Sequence, residues 1–128
     1  MHTNRNVALA ILSICLVMGG AVHLFDIASG GIFPYRFAPL PVNVYWTSLA
    51  ALDLLAAFLL WRQRRLGLAL TITIMLSDVV VNSYVTYILK LAASFAPLQI
   101  QTLFLGFVLG CVSFLWQNDE HLQPPATR

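Results

Sequence analysis

Four long apolar stretches, separated by short polar segments, dominate the chain. They run over about 7–27, 42–61, 66–91 and 98–116. Each has about 20 residues or more, which at a rise of about 1.5 Å per residue is enough to cross the hydrocarbon core of a bilayer. Because a spanning segment must satisfy its own backbone hydrogen bonds, all four are predicted to be helices. The third stretch is rich in β-branched residues, but its length favours a helix over a strand.

The composition supports the same architecture. Hydrophobic residues make up 59% of the 128 residues and charged residues only 9%, whereas a soluble domain has about 25% charged residues. The sequence therefore predicts an all-α integral membrane four-helix bundle, a single domain over 1–128, with an outer loop over 28–41 and a polar tail over 117–128. No room remains for a second soluble domain. The seven basic residues are scattered, so no patch that would bind nucleic acid is expected.

Basic residues predict the orientation of the bundle. The connection Arg62–Arg65 carries three arginines between the second and third helices, and positive charge accumulates in cytoplasmic loops. Alternation from this loop places Arg5 and Arg128 inside, with Arg36 and Lys90 outside. Both termini are therefore predicted to be cytoplasmic. The size and layout are similar to those of small bacterial inner-membrane proteins.

Three acidic residues lie within or at the edge of the apolar stretches: Asp26, Asp53 and Asp78. A charge near the centre of a bilayer costs about 2.5–3.5 kcal/mol, and such residues usually face the bundle interior. Counted from the cytoplasmic helix ends, Asp53 lies about 12 Å deep and Asp78 about 18 Å deep. No Lys or Arg lies at this depth, and His23 is the nearest base. We expect Asp53 and Asp78 to face each other in a pocket that opens outward, where they share a proton, water or a cation.

Helical spacing adds further polar residues to this pocket. His23 and Asp26 are three residues apart, which allows an ion pair, and Asp78 and Asn82 are four apart, so each pair lies on one helix face. The candidate ligand-binding residues are His23, Asp26, Trp46, Asp53, Asp78, Asn82 and Gln101. Trp46, Tyr84, Tyr87 and Phe33 are candidates for stacking on a bound cation.

Each candidate also has a purely structural interpretation. Asp26 could be a solvated helix end, and His23 a satisfied core histidine. Asn82 and Gln101 could be hydrogen-bonding links between helices. For Asp53 and Asp78 the alternative is a hydrogen bond between protonated carboxyl groups.

The outer loop contains three prolines, two glycines and three aromatic residues. The prolines and glycines exclude a regular helix, and the aromatic residues favour contact with the bundle. The loop is either an interfacial connector or a lid over a site between the helices. If it is a lid, Phe33, Tyr35 or Phe37 should contact the ends of the second, third or fourth helix.

Gly106 and Gly110 form a G-x-x-x-G pattern, which lets helix backbones approach closely. Their partner is either another helix of the same chain or a second copy, in which case the protein is a homodimer. The two cysteines, Cys15 and Cys111, are not spaced as a redox pair and are interpreted as small apolar residues.

A local resemblance comes from the segment from Tyr45 to Asp53, where an aromatic pair and a serine precede an acid in the second helix, and from His23 and Asp26 in the first. With the four-helix layout, these residues resemble the EXPERA group, the emopamil-binding protein-like membrane proteins, which include a sterol isomerase. The resemblance implies cytoplasmic termini and a ligand cavity lined by acidic and histidine side chains. It relates Asp53 to the group's acid in the second helix, and Asp78 stands where a histidine is expected in the third.

Four functions are compatible with these features. The first is a membrane protein, surrounded by lipid, that binds a hydrophobic, cationic or lipid-like small molecule. The second is an accessory subunit whose polar residues link helices, and the third is an isomerase-type enzyme with Asp53 or Asp78 as general acid. The fourth, an ion conductor, lacks a polar route through the cytoplasmic half. No cofactor motif is found, and the spacing of His and acidic residues does not indicate a metal site.

The predicted orientation can be tested by labelling. In intact cells, an impermeant thiol reagent should label Ser29→Cys, because the first loop is expected on the outer face. Cys15 and Cys111 are replaced by alanine in the background so that the introduced thiol is not confused with them. Labelling that occurs only in permeabilised cells would indicate the opposite orientation.

Overall fold

The computed structural model of the protein describes residues 2–120, and these form four long helices. The helices are α1 (His2–Gly30), α2 (Leu40–Arg62), α3 (Arg64–Ser83), which continues into a π-helical segment (Tyr84–Ile88), and α4 (Ala96–Glu120). All four are long and apolar enough to cross a membrane. This confirms the predicted number and type of elements, including a helix in the β-branched third stretch.

The helix bounds differ from the predicted ones at most ends. The first helix begins at His2 rather than near 7, and the outer loop shrinks from 28–41 to 31–39. The polar tail is predicted from 117, but 117–120 continue α4, and 121–128 lie outside the described residues. Polar residues next to an apolar run extend a helix without changing its apolar length, which explains these differences.

Glycine and proline set the limits of the first loop. The backbone of Gly31 has a φ of +86°, a conformation that suits glycine, and its N–H donates to the Ile27 carbonyl at 2.9 Å. This left-handed residue ends α1. At the other end of the loop, Pro39 caps α2 and Pro41 lies in its first turn, where a missing N–H costs nothing.

A very short turn joins α2 and α3. Gln63 alone separates them, with φ −139° and ψ 74°. The backbones pass so close that a Cβ built on Gly67 would lie 2.6 Å from the carbonyl carbon of Leu59. The predicted antiparallel hairpin is therefore present, and it depends on the missing side chain at Gly67.

The other end of α3 departs from α-helical geometry. In the π-helical segment the Leu89 N–H donates to the Tyr84 carbonyl at 3.0 Å, five residues back. Lys90 then adopts a positive φ of 53°, which is uncommon for a residue with a side chain. Such π-helical turns occur often at functional sites, and this one borders a cavity.

The helices pack in chain order, α1 on α2, α2 on α3 and α3 on α4, while α1 and α4 make only slight contact. The largest fully buried side chains are Leu12, Leu49, Leu60, Leu68, Thr71, Val108 and Leu115. Large apolar side chains such as Phe25, Val80 and Leu103 cover the exterior. An apolar exterior of this kind suits a bilayer rather than water.

The two ends of the bundle are chemically different. At the end that carries the α2–α3 turn, here called the arginine end, the Trp61 indole donates to Ser13 Oγ at 2.8 Å. There the Arg65 guanidinium lies 5.6 Å from the ring centroid of Trp116. The opposite end, called the loop end, carries the α1–α2 loop and the α3–α4 connection.

Gly106 and Gly110 do not pack against another helix of this chain. Both are exposed on α4, and a Cβ built on either would meet nothing within 4 Å. The interpretation that they bring two helices of one chain together is therefore wrong, because their face of α4 points away from the bundle. A second copy as their partner stays a prediction.

The tight α2–α3 turn gives a test of the fold. Gly67→Ala should lower stability by about 1–3 kcal/mol, the usual cost of overpacking, because the new methyl group collides with backbone atoms. Thermal unfolding in detergent would measure this. Thr73→Ala, on the exposed side of the same helix, is the matched control. It should be nearly neutral, because it loses only a hydrogen bond to the Ala69 carbonyl of its own helix and Ala favours helix more than Thr does. Equal unfolding temperatures for the two variants would contradict the conclusion that the α2–α3 turn depends on the missing side chain of Gly67.

Candidate functional site

All four helices contribute to a cavity of about 330 Å³ inside the bundle. Its polar lining consists of Asp53, Asp78, His23 and Gln101, so we call it the acid cavity. The remaining lining residues are Cys15, Leu16, Met18, Gly19, Leu49, Ile74, Met75, Ile100 and Phe104. Among the described residues no Lys or Arg lines this cavity, so two acidic groups share a chamber whose other lining residues are uncharged or mainly apolar.

The Asp53 carboxyl group is buried without a protein partner. The residue is 6% exposed, and within 2–120 no side chain or backbone group hydrogen-bonds to its carboxyl oxygens. Its Oδ2 occupies the space over Gly19, where an added Cβ would lie 2.8 Å away. A carboxyl group with no protein partner among apolar side chains is costly, so this group must be protonated or be met by water or another molecule in the cavity that it lines.

Asp78, in contrast, is held by a hydrogen-bonded network. It is 8% exposed and accepts a hydrogen bond from Asn82 Nδ2 at 2.8 Å. The same Nδ2 donates to Gln101 Oε1 at 2.9 Å, and Asn82 Oδ1 accepts from the Trp46 indole at 3.1 Å. The Asn82 amide therefore links α2, α3 and α4 through both of its donors and its acceptor oxygen.

The network separates the acid cavity from a second cavity at the loop end. This loop cavity has a volume of about 420 Å³ and is lined by Trp46 and Asn82, by residues of the α1–α2 loop and π-helical segment such as Phe37 and Thr86, and by the α3–α4 connection. Asn82 and Trp46 line the loop cavity, and their partners Asp78 and Gln101 line the acid cavity. The layer between the two cavities is thus one set of hydrogen-bonded side chains thick.

Tyr35 of the first loop connects two of the predicted residues. Its hydroxyl donates to Asp26 Oδ2 at 2.7 Å and lies 2.7 Å from His23 Nδ1. The predicted direct pair between His23 and Asp26 is therefore wrong, because a phenol stands between them. Burial, followed by the hydrogen bond to Asp26 and its negative charge, raises the pKa of the Tyr35 phenol, so the hydroxyl stays protonated.

The loop packs on the bundle through its aromatic residues, as predicted. The Tyr35 ring meets Trp46 edge to face, with centroids 5.0 Å apart, and Phe37 lies 6.0 Å from the same indole. None of the three loop aromatics lines the acid cavity. The loop therefore covers the loop cavity and not the acid cavity.

The predicted residues fall into three groups. Asp53, Asp78, His23 and Gln101 meet in the acid cavity. Asn82 and Trp46 lie in the layer beside it. Asp26 lies outside both cavities, bound to Tyr35.

The direction in which the cavity opens differs from the prediction. Its lining residues on α2 and α3 are buried, whereas Met18 on α1 is 64% exposed and Ile100 on α4 is 67% exposed. The opening therefore lies at the side of the bundle, between α1 and α4. The predicted opening toward the outer loop is wrong, because the hydrogen-bonded network around Asn82 lies on that side of the cavity.

The predicted aromatic stacking is not found at the acid cavity. Tyr84, Tyr87 and Phe33 are exposed and line neither this chamber nor the layer beside it. Phe104 and His23 are the aromatic rings that line it. Two rings do not form an aromatic cage. The carboxyl groups are therefore the main groups of this cavity that could attract a cation.

Sequence reasoning missed two residues that shape the site. The pattern indicates Tyr35 only as a general loop contact, although the three prolines around it signal a fixed backbone. Gly19 has no sequence neighbour that relates it to Asp53, and only the structure places that carboxyl over it. Within the described residues no group of three or more His, Cys, Asp or Glu side chains could hold a metal ion.

Comparison with family models, with curated proteins and with solved structures finds no match to this chain. The resemblance to the EXPERA group, and the isomerase activity that it implies, therefore stay predictions.

Proposed function

We propose that this protein is an integral membrane binding protein for a hydrophobic amine, whose cationic head is held by Asp53 and Asp78. The observation that carries the proposal is the buried, unpartnered Asp53 carboxyl group facing a cavity. A carboxyl used only to link helices would have a protein partner, as Asp78 does. The bundle leaves Asp53 to be satisfied by something that enters the cavity.

The lining supports the chemical class of this ligand. Apolar side chains such as Leu49, Ile74 and Met75 surround the two acids, which fits an apolar tail attached to a small charged head. Pockets for small molecules begin at about 300 Å³, so the acid cavity suits a ligand of modest size. The few aromatic rings argue against a quaternary ammonium group, which usually binds in an aromatic cage, and favour an amine that can donate N–H.

The opening between α1 and α4 supports a route for the ligand. Met18 and Ile100 border it with apolar surface, so a molecule dissolved in the bilayer meets the cavity without crossing the loop end. We further propose, from the predicted topology, that both termini lie in the cytoplasm and that the membrane is the inner membrane of a bacterium.

A second candidate is an accessory subunit in which polar residues hold helices together. The Asn82 network favours it, because Trp46, Asn82 and Gln101 bond to one another across three helices. The network does not include Asp53, however, so it accounts for the layer beside the acid cavity and not for the cavity itself.

Asp53→Asn tests the proposed counter-charge. With decylamine as probe and the protein in nanodiscs, the variant should bind at least about tenfold more weakly, since a hydrogen bond to a charged group contributes about 1.5–3 kcal/mol. Its thermal unfolding temperature should not fall, because no protein hydrogen bond is lost. Isothermal titration and a thermal melt measure the two quantities.

Asp119→Asn is the matched control for this experiment. It removes one acid from α4 about 22 Å along the helix from Phe104, so decylamine should bind as it does to the wild type. Decanol, with the same tail and no charge, should show no difference between the wild type and Asp53→Asn. Unchanged decylamine binding together with a lower unfolding temperature for Asp53→Asn would favour the accessory subunit.

Gly19→Ala tests the geometry with both acids kept. The new methyl group would lie 2.8 Å from Asp53 Oδ2, so the carboxyl group must move, and decylamine affinity should fall by about tenfold or more, the loss of one charged hydrogen bond. Gly106→Ala has open space and should leave the affinity unchanged. The same titration measures both, and equal affinities would show that the position of Asp53 does not matter for binding.

A further inference from the structure

The Tyr35 hydroxyl group determines which nitrogen of His23 carries a proton. A phenol has one hydrogen to donate, and Tyr35 donates it to Asp26 Oδ2 at 2.7 Å. Its second close partner, His23 Nδ1 at 2.7 Å, must then be the donor in that contact. The arrangement therefore requires hydrogen on Nδ1 of the imidazole.

Several contacts hold Tyr35 in place for this role. Its backbone N–H donates to Asn43 Oδ1 at 3.3 Å, and its ring packs against Trp46. The raised pKa of the phenol keeps its hydrogen available for Asp26. Tyr35 is thus fixed at the backbone, at the ring and at the hydroxyl group.

The protonated Nδ1 leaves a lone pair on the other ring nitrogen. In a neutral imidazole one nitrogen donates and the other accepts, so Nε2 of His23 is the acceptor. Within 2–120 no protein group hydrogen-bonds to Nε2. His23 lines the acid cavity whereas Tyr35 does not, so the Nδ1 edge faces the loop and the rest of the ring borders the cavity.

The acid cavity consequently offers three main acceptor groups to a ligand. They are the carboxyl groups of Asp53 and Asp78 and the Nε2 atom of His23. Gln101 Oε1 accepts from Asn82, and its second lone pair belongs to an uncharged amide, which is a weaker acceptor of a charged donor than a carboxylate. A primary ammonium group has three N–H donors, as the lysine side chain does, whereas a tertiary one has a single donor.

We propose that the chain Asp26–Tyr35–His23 fixes the Nδ1–H tautomer of His23, so that the acid cavity selects primary amines over more substituted ones. Tyr35 is then a positioning residue that determines specificity from outside the cavity. This inference rests on the proposed function, in that it names the class of amine bound at the same site.

The tautomer can be observed without any ligand. In a His2→Gln, His121→Gln background His23 is the sole histidine, and ¹⁵N spectra of the labelled ring distinguish a protonated from an unprotonated nitrogen. The expected spectrum has a protonated Nδ1 and an unprotonated Nε2, and Tyr35→Phe should lose this fixed pattern. A protonated Nε2 beside an unprotonated Nδ1 in the parent protein would overturn the inference.

The specificity is measured with three amines that share one tail. Decylamine should bind the wild type at least about tenfold more tightly than N,N-dimethyldecylamine, because two charged hydrogen bonds are lost on dimethylation. Decyltrimethylammonium, with no N–H, should bind most weakly. Tyr35→Phe should reduce the ratio of the first two affinities toward one, mainly by weakening decylamine.

Phe33→Leu is the control for this series. Phe33 is a loop aromatic that is 45% exposed and has no polar atom, so its replacement should leave the ratio as in the wild type. If none of the amines binds the wild type, the proposed function fails and the specificity fails with it. Equal affinities for all three amines would overturn the specificity alone and leave the cation site standing.

Discussion

The cost of keeping a carboxyl group among apolar helices governs the interior of this bundle. Two such groups, Asp53 and Asp78, face one chamber that no Lys or Arg of the described residues lines. The chain meets this cost in two different ways. Asp78 accepts a hydrogen bond from Asn82. Asp53 has no hydrogen-bond partner among residues 2–120, and its carboxyl group occupies space left by the missing side chain of Gly19. A bundle that needed only cohesion could replace Asp53 with an apolar residue at no loss, so the proposed binding function rests on this acid.

Much of the fold follows from the sequence because one quantity, the length of an apolar run, decides it. A run of about 20 residues fixes a spanning helix whatever its neighbours do, and four runs with a short arginine connection lead to the hairpin that is found. The pairing of Asp78 with Asn82 is similarly local, since residues four apart on a helix meet. The partners of Asn82 on other helices are not local. Trp46 and Gln101 meet it only because α2 and α4 pack on α3 at one particular rotation.

Helix rotation is also why the opening of the cavity and the face of Gly106 and Gly110 could not be predicted. In a soluble bundle the polar side of a helix points outward, which fixes its rotation. Here lipid is as apolar as the core, so Ile100 at the opening and Val108 in the core look alike in sequence, although one is exposed and the other fully buried. Small residues do not predict helix rotation any better, because a glycine favours close approach of two helices but does not indicate which helix is the partner.

Tyr35 illustrates a different limit. Its position depends on the backbone of a loop, where no helical period relates one residue to another, and three prolines restrict the path without revealing its destination. Once the loop is in place, the consequence extends beyond the loop itself. In the proposed arrangement, the one hydroxyl hydrogen that Tyr35 donates to Asp26 determines which ring nitrogen of His23 carries a proton. His23 lines a cavity that Tyr35 does not line. The hydrogen-bond donors and acceptors of the chamber are therefore set partly from the loop end, while its charge is set by the helices, and these two contributions can change independently.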